Sequence, residues 1–405
     1  MGRVHPTLQD YALISRIRNS EAGHAVVVIG GLYTYGTEAV DEFLTDPQPM
    51  RSIEKEVPLS DPHSNVQITL GTTVTDAVAG SPGCLRLGRV EHTMPTMQRT
   101  IVVVGSINID LVVNAERMPA AGETVSGSGF QTHFGGKGAN QAVAVARLSY
   151  PVEMIGKLGS DVFGEHLRAY LASAGVGMEG VATVEGSSGT AVIVVDPLGE
   201  NRIVVVPGAN AQVTPDYLDL HRHLIRDAGM VLTQLEIPVE TVERLAAICA
   251  EERVPLMLDP APPKRIPASV FEGIRWLTPN KTEADFYVAQ SGLKIQENMP
   301  DETASCLLRQ GAAGVILKMG SHGAYLATRD GIREEVKAFP VTAVDTTAAG
   351  DAFNGAFAVG LMLGKPPAAS ARFAAAAAAL SVTRQGAQDS MTSREEVDKL
   401  LGSGI

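Results

Sequence analysis

From Thr100 onward, short continuous apolar runs alternate with stretches in which apolar residues recur every three or four positions. The runs are "TIVVVGS", "VEMIGKLG", "MVLTQLE", "VPLMLDP", "IRWLTPN" and "GVILKMG". Each has the character of a strand buried on both faces of a parallel sheet. Between them "GANQAVAVARL", "DVFGEHLRAYLASAG", "PVETVERLAAICAEE" and "DETASCLLRQG" carry helical spacing. The alternation predicts an α/β fold, a mostly parallel sheet with helices on both faces. Two segments break it. "GETVSGSGFQTHFGG" is Gly-rich and strand-like, and "GTAVIVVDPLGENRIVVVPGAN" reads as a hairpin around "DPLGEN". They predict a small second sheet, at about 108–136 and 188–207, forming a lid over the carboxyl ends of the main strands.

The first ninety-odd residues read differently. They hold a short amphipathic start, a strand-like "HAVVVIGG", a helix expected at "GTEAVDEFL" and a polar stretch before "VQITLGTTV". One or two strands with one or two helices bury little core. Residues 1–93 are therefore expected to be an extension of unassigned role, and 94–405 the main domain. Met94 or Met97 would serve equally as the start of an independent protein.

Composition narrows the function. Of 405 residues, 45% are hydrophobic and 19% charged, which fits a globular chain and excludes wholesale disorder. A formal net charge of -12 argues against a nucleic-acid or anionic-membrane partner, but permits a small phosphorylated ligand. Cys84, Cys249 and Cys306 lie far apart with no C-x-x-C pair, so neither a disulfide framework nor a zinc site is expected. No signal peptide opens the chain, and the longest apolar run, Phe373 to Val382, falls short of a membrane span. A cytoplasmic location is the expectation.

Six short stretches carry candidate chemistry. In "VDTTAAGDAFNGAFAVGLMLG" small residues lead into a helix that starts near Asp351. That acid is either an N-cap or a base beside an anion held on bare backbone N–H groups. "GSINIDLV" places Asn108 and Asp110 at a strand end, as turn formers or as partners for the hydroxyls of a polyol. "FGGKGANQAVAVARL" offers Gly135, Gly136 and Gly138 for close backbone approach, Lys137 as a point charge and Asn140 in the first helical turn. It lacks Walker A spacing. "TPNKTEADF" sets Asn280 and Glu283 three apart, as a capping box or as a site for a hydrated cation with phosphate. "KMGSHGAY" is a hairpin turn or a nucleotide-phosphate turn, and "ALSVTRQGAQDSM" ends an alanine-rich helix near Gly386, a candidate C-cap.

Together and in this order, "GSINID", "GGKGANQAV", "QLE", "TPNKTEAD", "KMGSHG", "DTTAAGDAFNGA" and "VTRQGAQ" resemble the carbohydrate kinases of the ribokinase (PfkB-type) family. The resemblance runs from about Thr100 to Leu401 and leaves the first ninety-odd residues without a counterpart. It implies a three-layer α/β/α fold with a β lid, and ATP-dependent phosphorylation of D-ribose at O5. It further implies that Asn108, Asp110, Gly136, Lys137, Asn140 and Glu236 line the sugar pocket. Asp351 would be the catalytic base, and Ala348, Ala349 and Gly350 the anion hole. Asp351 would be free to cap its helix as well. With an ordinary pKa near about 4 it would be a weak base, accepting the proton late.

By the same resemblance Asn280 and Glu283 belong to the Mg²⁺-phosphate region, and Lys318, Gly320, Ser321 and Gly323 to the nucleotide site with Gly350. Asp345, Thr347, Ser381, Arg384, Gly386 and Ser390 would hold a monovalent cation, usually K⁺, mainly through carbonyl oxygens. Asp389 stands where relatives often carry proline. A homodimer through the lid is expected. Two rival readings remain at this stage. One is a kinase of the same family for deoxyribose, fructose, a keto-deoxy sugar acid or a nucleoside. The other is a non-catalytic sugar sensor, against which the intact Asp351 and "AAG" speak.

Overall fold

The computed structural model describes residues 8–18, 25–31, 66–75, 78–79, 83–89, 99–293, 295–296 and 299–402. The chain divides into two compact units, Met1–Met97 and Gln98–Ile405. The first contains an antiparallel sheet of β1 (Leu8–Arg18), β2 (Ala25–Gly31), β3 (Val66–Thr75), β4 (Val78–Ala79) and β5 (Gly83–Arg89). Strand β1 lies between β2 and β3, and β3 also pairs with β4 and β5. Five strands exceed the one or two expected. Apart from β2, the strand-like "AVVVIGG", their mixed polar and apolar sequences lack the continuous apolar signature that made the later strands legible. The helix expected at "GTEAVDEFL" lies outside the described residues.

In the second unit β6 (Ile101–Val104) starts a nine-stranded sheet. Two lid strands follow, β7 (Asn108–Ala115) and β8 (Gly127–Gly135). The sheet resumes with β9 (Val152–Gly159) and β10 (Gly177–Val184), and the lid is completed by β11 (Gly189–Val195) and β12 (Asn201–Val206). The remaining sheet strands are β13 (Met230–Thr233), β14 (Leu256–Leu258), β15 (Ile274–Leu277), β16 (Gly314–Lys318), β17 (Ala324–Thr328) and β18 (Arg333–Val336). Their spatial order is β10-β9-β6-β13-β14-β15-β16-β17-β18. Pairing is parallel from β10 to β16 and antiparallel beyond. Strands β10, β17 and β18 extend the sheet beyond the six apolar runs of the sequence.

Each central strand feeds two cores. Ile101 and Val103 face one cluster while Val102 and Val104 face the other, and Met257 opposes Leu256 and Leu258 in the same way. This period-two division between two apolar layers is what a sheet covered on both faces requires. The helices are α1 (Lys137–Arg147), α2 (Val162–Ser173), α3 (Pro215–Leu220), α4 (Arg222–Asp227), α5 (Val239–Glu252), α6 (Ala268–Gly273), α7 (Lys281–Gln290), α8 (Pro300–Gln310), α9 (Ala349–Met362), α10 (Pro367–Ser381) and α11 (Arg394–Gly402).

Helix α9 packs against both α1 and α10. Small residues set these distances: a Cβ on Gly355 would lie 2.7 Å from Ala144 Cβ, and one on Gly360 2.9 Å from Ser370 Cα. Helix α10 ends at Ser381 with Val382 as its C-cap, so Gly386 is not the cap expected. It lies in the loop beyond, at φ 88°. The lid is a separate four-stranded sheet ordered β12-β11-β7-β8. Its β7 continues almost directly from β6, which carries Asn108 and Asp110 from the main sheet into the lid. No helix among the described residues is long and apolar enough to cross a membrane.

Candidate active site

The carboxyl end of β6 and the turn before α1 approach closely. A Cβ on Gly138 would lie 2.7 Å from the backbone of Gly105 and Ser106. Gly136 caps α1 at φ 88°, where a Cβ would meet the Asn108 backbone nitrogen at 2.6 Å. Only glycine meets both demands without strain. This contact brings Lys137 and Asn140 beside Asn108 and Asp110.

Asn108 is buried, and its Oδ1 accepts from Asn210 Nδ2 at 2.7 Å. Asn210 also accepts from the Ile107 N–H at 2.9 Å, so it fixes the start of β7. The Asp110 carboxyl lies over Gly135, whose missing Cβ would fall 2.2 Å from Oδ2. Burial, with the nearby Glu236 charge added, lifts Asp110 to about 7. Glu236 follows β13 and accepts from Ser106 Oγ at 2.5 Å and the Lys137 N–H at 3.1 Å. The Lys137 ammonium is buried, which disfavours its charge. Asp351, Asp259, Glu236 and Glu283 outweigh that and raise its pKa.

Asp351 lies in the first turn of α9 and is buried, at 3% exposure. It does not cap the helix. The N-cap is Ala348, in a left-handed conformation (φ 58°), and no side-chain cap is made. The Asp351 oxygens accept instead from Asn140 Nδ2 at 2.9 Å and Gln141 Nε2 at 3.0 Å. With no side chain capping it, the first turn of α9 keeps N–H groups for a ligand. Ala348, Ala349 and Gly350 stand half-buried at this end. Burial raises Asp351 to about 6; the Lys137 charge opposes this, Asp259 reinforces it, and the two amide donors moderate it. The ordinary value near about 4 expected from the sequence is thereby corrected, because the surroundings exclude water.

Asp259, at the end of β14, was not singled out in the sequence. Its Oδ2 shares the Gln141 amide at 3.3 Å and its Oδ1 accepts from Lys318 Nζ at 3.0 Å. Lys318 reaches the opening of α9, where a Cβ on Gly350 would lie 3.3 Å from its Nζ. Gln234 extends the network by donating to Gln141 Oε1 at 2.7 Å. Asp259 was visible as the acid ending "VPLMLDP", and Gln141 as the neighbour of Asn140. Nothing in the sequence pairs them across 118 residues.

Asn280 and Glu283 form the full capping box of α7: Asn280 Oδ1 accepts from the Glu283 N–H at 2.9 Å, and Glu283 Oε2 from the Asn280 N–H at 2.7 Å. Glu283 is pushed up by burial and by Asp259, with Lys318 opposing. A bridge between Asn280 and Lys318 joins this segment to β16. Gly320 and Ser321 lie on the exposed turn that follows, and Gly323 closes it into β17.

The six residues assigned to a monovalent cation are joined only in part. Asp345 accepts from the Thr347 N–H at 2.8 Å and the Gly386 N–H at 2.9 Å. Burial works against its charge, yet these bonds prevail and lower its pKa. The Asp345 and Val344 N–H groups both donate to the Val382 carbonyl. Ser381 and Ser390 spend their hydroxyls on the nearby Ala378 and Ala387 carbonyls, and the Arg384 guanidinium turns to Glu396. Among the described residues no group of three or more His, Cys, Asp or Glu is arranged to hold a metal ion.

The site thus combines a buried carboxylate, bare helix N–H groups, two lysines and a wall of polar side chains that includes Asn108, Asp110 and Glu236. Lys137 lies among Asp351, Asp259, Glu236 and Glu283, and Lys318 pairs with Asp259, so carboxylates outnumber these two lysines and an anionic ligand here needs further positive charge. Comparison with known proteins agrees with this chemistry. Residues 98–394 match the model of the pfkB family of carbohydrate kinases. Ribokinase of Bacillus subtilis is 44% identical over 306 residues, 75% of this chain and 99% of that protein. Ribokinase of Schizosaccharomyces pombe is 41% identical over 306 residues, 74% of this chain and 96% of that one. The structure of Arabidopsis thaliana ribokinase complexed with ribose and ATP is 37% identical, with a TM-score of 0.71 over 75% of this chain and 98% of that one.

Proposed function

Because the chain belongs to the pfkB family of carbohydrate kinases, we propose that residues 94–405 transfer the γ-phosphoryl group of ATP to O5 of D-ribose. The products are ribose 5-phosphate and ADP. The observation that carries this reading is Asp351, a carboxylate held by Asn140 and Gln141 at the uncapped N-terminus of a helix. Asn108, Asp110, Gly136, Lys137, Asn140 and Glu236 bind the sugar hydroxyls and present O5 to Asp351. Asp351 accepts the O5 proton as the new P–O bond forms, and Ala348, Ala349 and Gly350 receive the negative charge of the transferred group. With a pKa near about 6, the base is ionised at neutral pH yet strong enough to share that proton in the transition state.

The excess of carboxylates over lysines fits a nucleotide delivered with Mg²⁺. Asn280 and Glu283 would hold the Mg²⁺-phosphate complex, Mg²⁺ supplying the charge that two lysines do not. Lys318, Gly320, Ser321 and Gly323 complete the nucleotide site. The anionic Asp345 and the loop bonded to it fit K⁺, with Thr347, Ser381, Arg384, Gly386 and Ser390 offering carbonyl oxygens. The lid favours a homodimer: Ile203, Val204, Val205 and Val206 are all about half exposed or more on edge strand β12.

The test is ADP release from ATP-Mg²⁺ with ribose, deoxyribose, fructose and adenosine, each with and without K⁺. Turnover on ribose that K⁺ raises is expected. Preference for another sugar would move the assignment within the family, and silence on all four would favour a sensor. Asp351→Asn is expected to lower kcat by orders of magnitude with ribose affinity nearly unchanged. Near-normal turnover would remove Asp351 from the mechanism.

A further inference from the structure

Gln388 lies in the loop after α10 and is almost wholly buried, at 1% exposure. It is two residues beyond Gly386, whose N–H holds Asp345. Its Nε2 donates to the Gly135 carbonyl at 3.2 Å and to Asn140 Oδ1 at 3.1 Å. These two bonds cross more than 240 residues of sequence. A side-chain amide has one oxygen and one nitrogen, so engaging Asn140 Oδ1 leaves its Nδ2 to face Asp351. There it donates to Oδ2 at 2.9 Å. Were the Asn140 amide reversed, its oxygen would meet the carboxylate and two acceptors would oppose each other. Among the described residues the Gln388 oxygen has no hydrogen-bond partner, so there this amide is held in a low-dielectric site by its donor side.

We propose that Gln388 is a positioning residue, resting on the reading of Asp351 as the base: it fixes the orientation of the Asn140 amide and through it the hydrogen bonding of Asp351. The same side chain gives the loop held by Asp345 a two-bond route to the base. Its second bond, to Gly135, anchors the end of β8 beneath the Asp110 carboxyl. The charged groups facing Asp351 are Lys137 from α1 and Asp259 from β14, with Lys318 of β16 paired to Asp259. Gln388 is bonded to Gly135 and Asn140, so it acts on the base through a neutral amide.

The test is a double-mutant cycle in the full chain, using Gln388→Met, Asn140→Ala and the pair. The readout is kcat/KM for ATP at saturating ribose from pH 5 to 9. Gln388→Met is expected to move the acid limb upward by about half a unit to one unit, as the donor to Asp351 becomes disordered. At pH 6 that amounts to roughly a two- to fivefold loss, vanishing near pH 9. In the Asn140→Ala background the same substitution is expected to change the rate less than about twofold, because the element it orients is gone.

An equal loss in both backgrounds, or an unmoved limb in active Gln388→Met, overturns the proposal. A lower melting temperature with an unchanged limb would mark Gln388 as structural only, which also overturns it. If Gln388→Met does not fold, Gln388→Leu takes its place in the same cycle. An inactive wild-type protein would instead overturn the kinase reading itself.

Discussion

Replacing Gln141 by leucine isolates the forces that set the basicity of Asp351. The Gln141 amide is 1% exposed and donates to Asp351 Oδ1 at 3.0 Å and to Asp259 Oδ2 at 3.3 Å. Among the described residues it is the one group that bonds both Asp351 and Asp259, and leucine keeps its approximate bulk without the donor. A hydrogen bond to a charged group is worth about 1.5–3 kcal/mol. At about 1.4 kcal/mol per unit, losing it raises the Asp351 pKa by about one to two units. The acid limb then moves from near about 6 to between about 7 and 8.

The assay is kcat/KM for ATP at saturating ribose, which reports the sugar-bound enzyme and so removes the titration of free Asp110 from the profile. At pH 6.5 the variant is expected to lose roughly tenfold, while above pH 9 the two profiles converge. A wild-type limb near pH 4 would show that burial does not raise Asp351. A limb unmoved by the substitution would show that Gln141 does not stabilise the charged base. Either result refutes the reasoning. Gln141→Leu also strips Gln234 Nε2 of its acceptor, so a stability loss of about 1–3 kcal/mol accompanies the kinetic change.

Three further outcomes follow from the geometry. Asp110, lifted to about 7 by burial and Glu236, should make the ribose KM depend on pH between 6 and 8; Asp110→Asn should flatten that dependence while weakening ribose binding, and a persistent dependence would assign it elsewhere. Asp110 and Asp351 both carry raised pKa values in the folded state, so their contribution to stability is full below about 4 and is lost as pH rises through about 6 to 7. The melting temperature of the ligand-free protein should therefore rise between pH 8 and 5.5, and a fall over that window would contradict the assignment. Gly355→Val pushes a side chain against Ala144 Cβ, 2.7 Å from the first added carbon, and should cost about 1–3 kcal/mol in denaturant titration; an unchanged midpoint would mean that α1 and α9 separate freely.

The sequence by itself determined the layers and the chemistry at each strand end. Continuous apolar runs such as Ile101–Val104, alternating with helical periods, fit strands covered on both faces and point to the α/β order. Asn108, Lys137, Asn140, Glu236, Asn280 and Asp351 were legible because each closes a short motif at the start or end of an element. β1, β3, β4 and β5 of the first unit, and β10 and β18, were less legible, since mixed polar and apolar residues weaken the period on which recognition depends.

Only the tertiary structure decided what those residues do to one another. Of the two readings open for Asp351, the cap gives way to bonds from Asn140 and Gln141, because α9 begins at Ala349 and Asp351 is its third residue, bonded to α1. Its pKa near about 6 is a property of the water excluded around it, which no local sequence encodes. Asp259, Gln141 and Lys318 lie in separate stretches of sequence and meet only in the folded chain, as do Gln388 and Asn140. Charge and hydrogen bonding act over a few ångströms of space, whatever the distance along the chain.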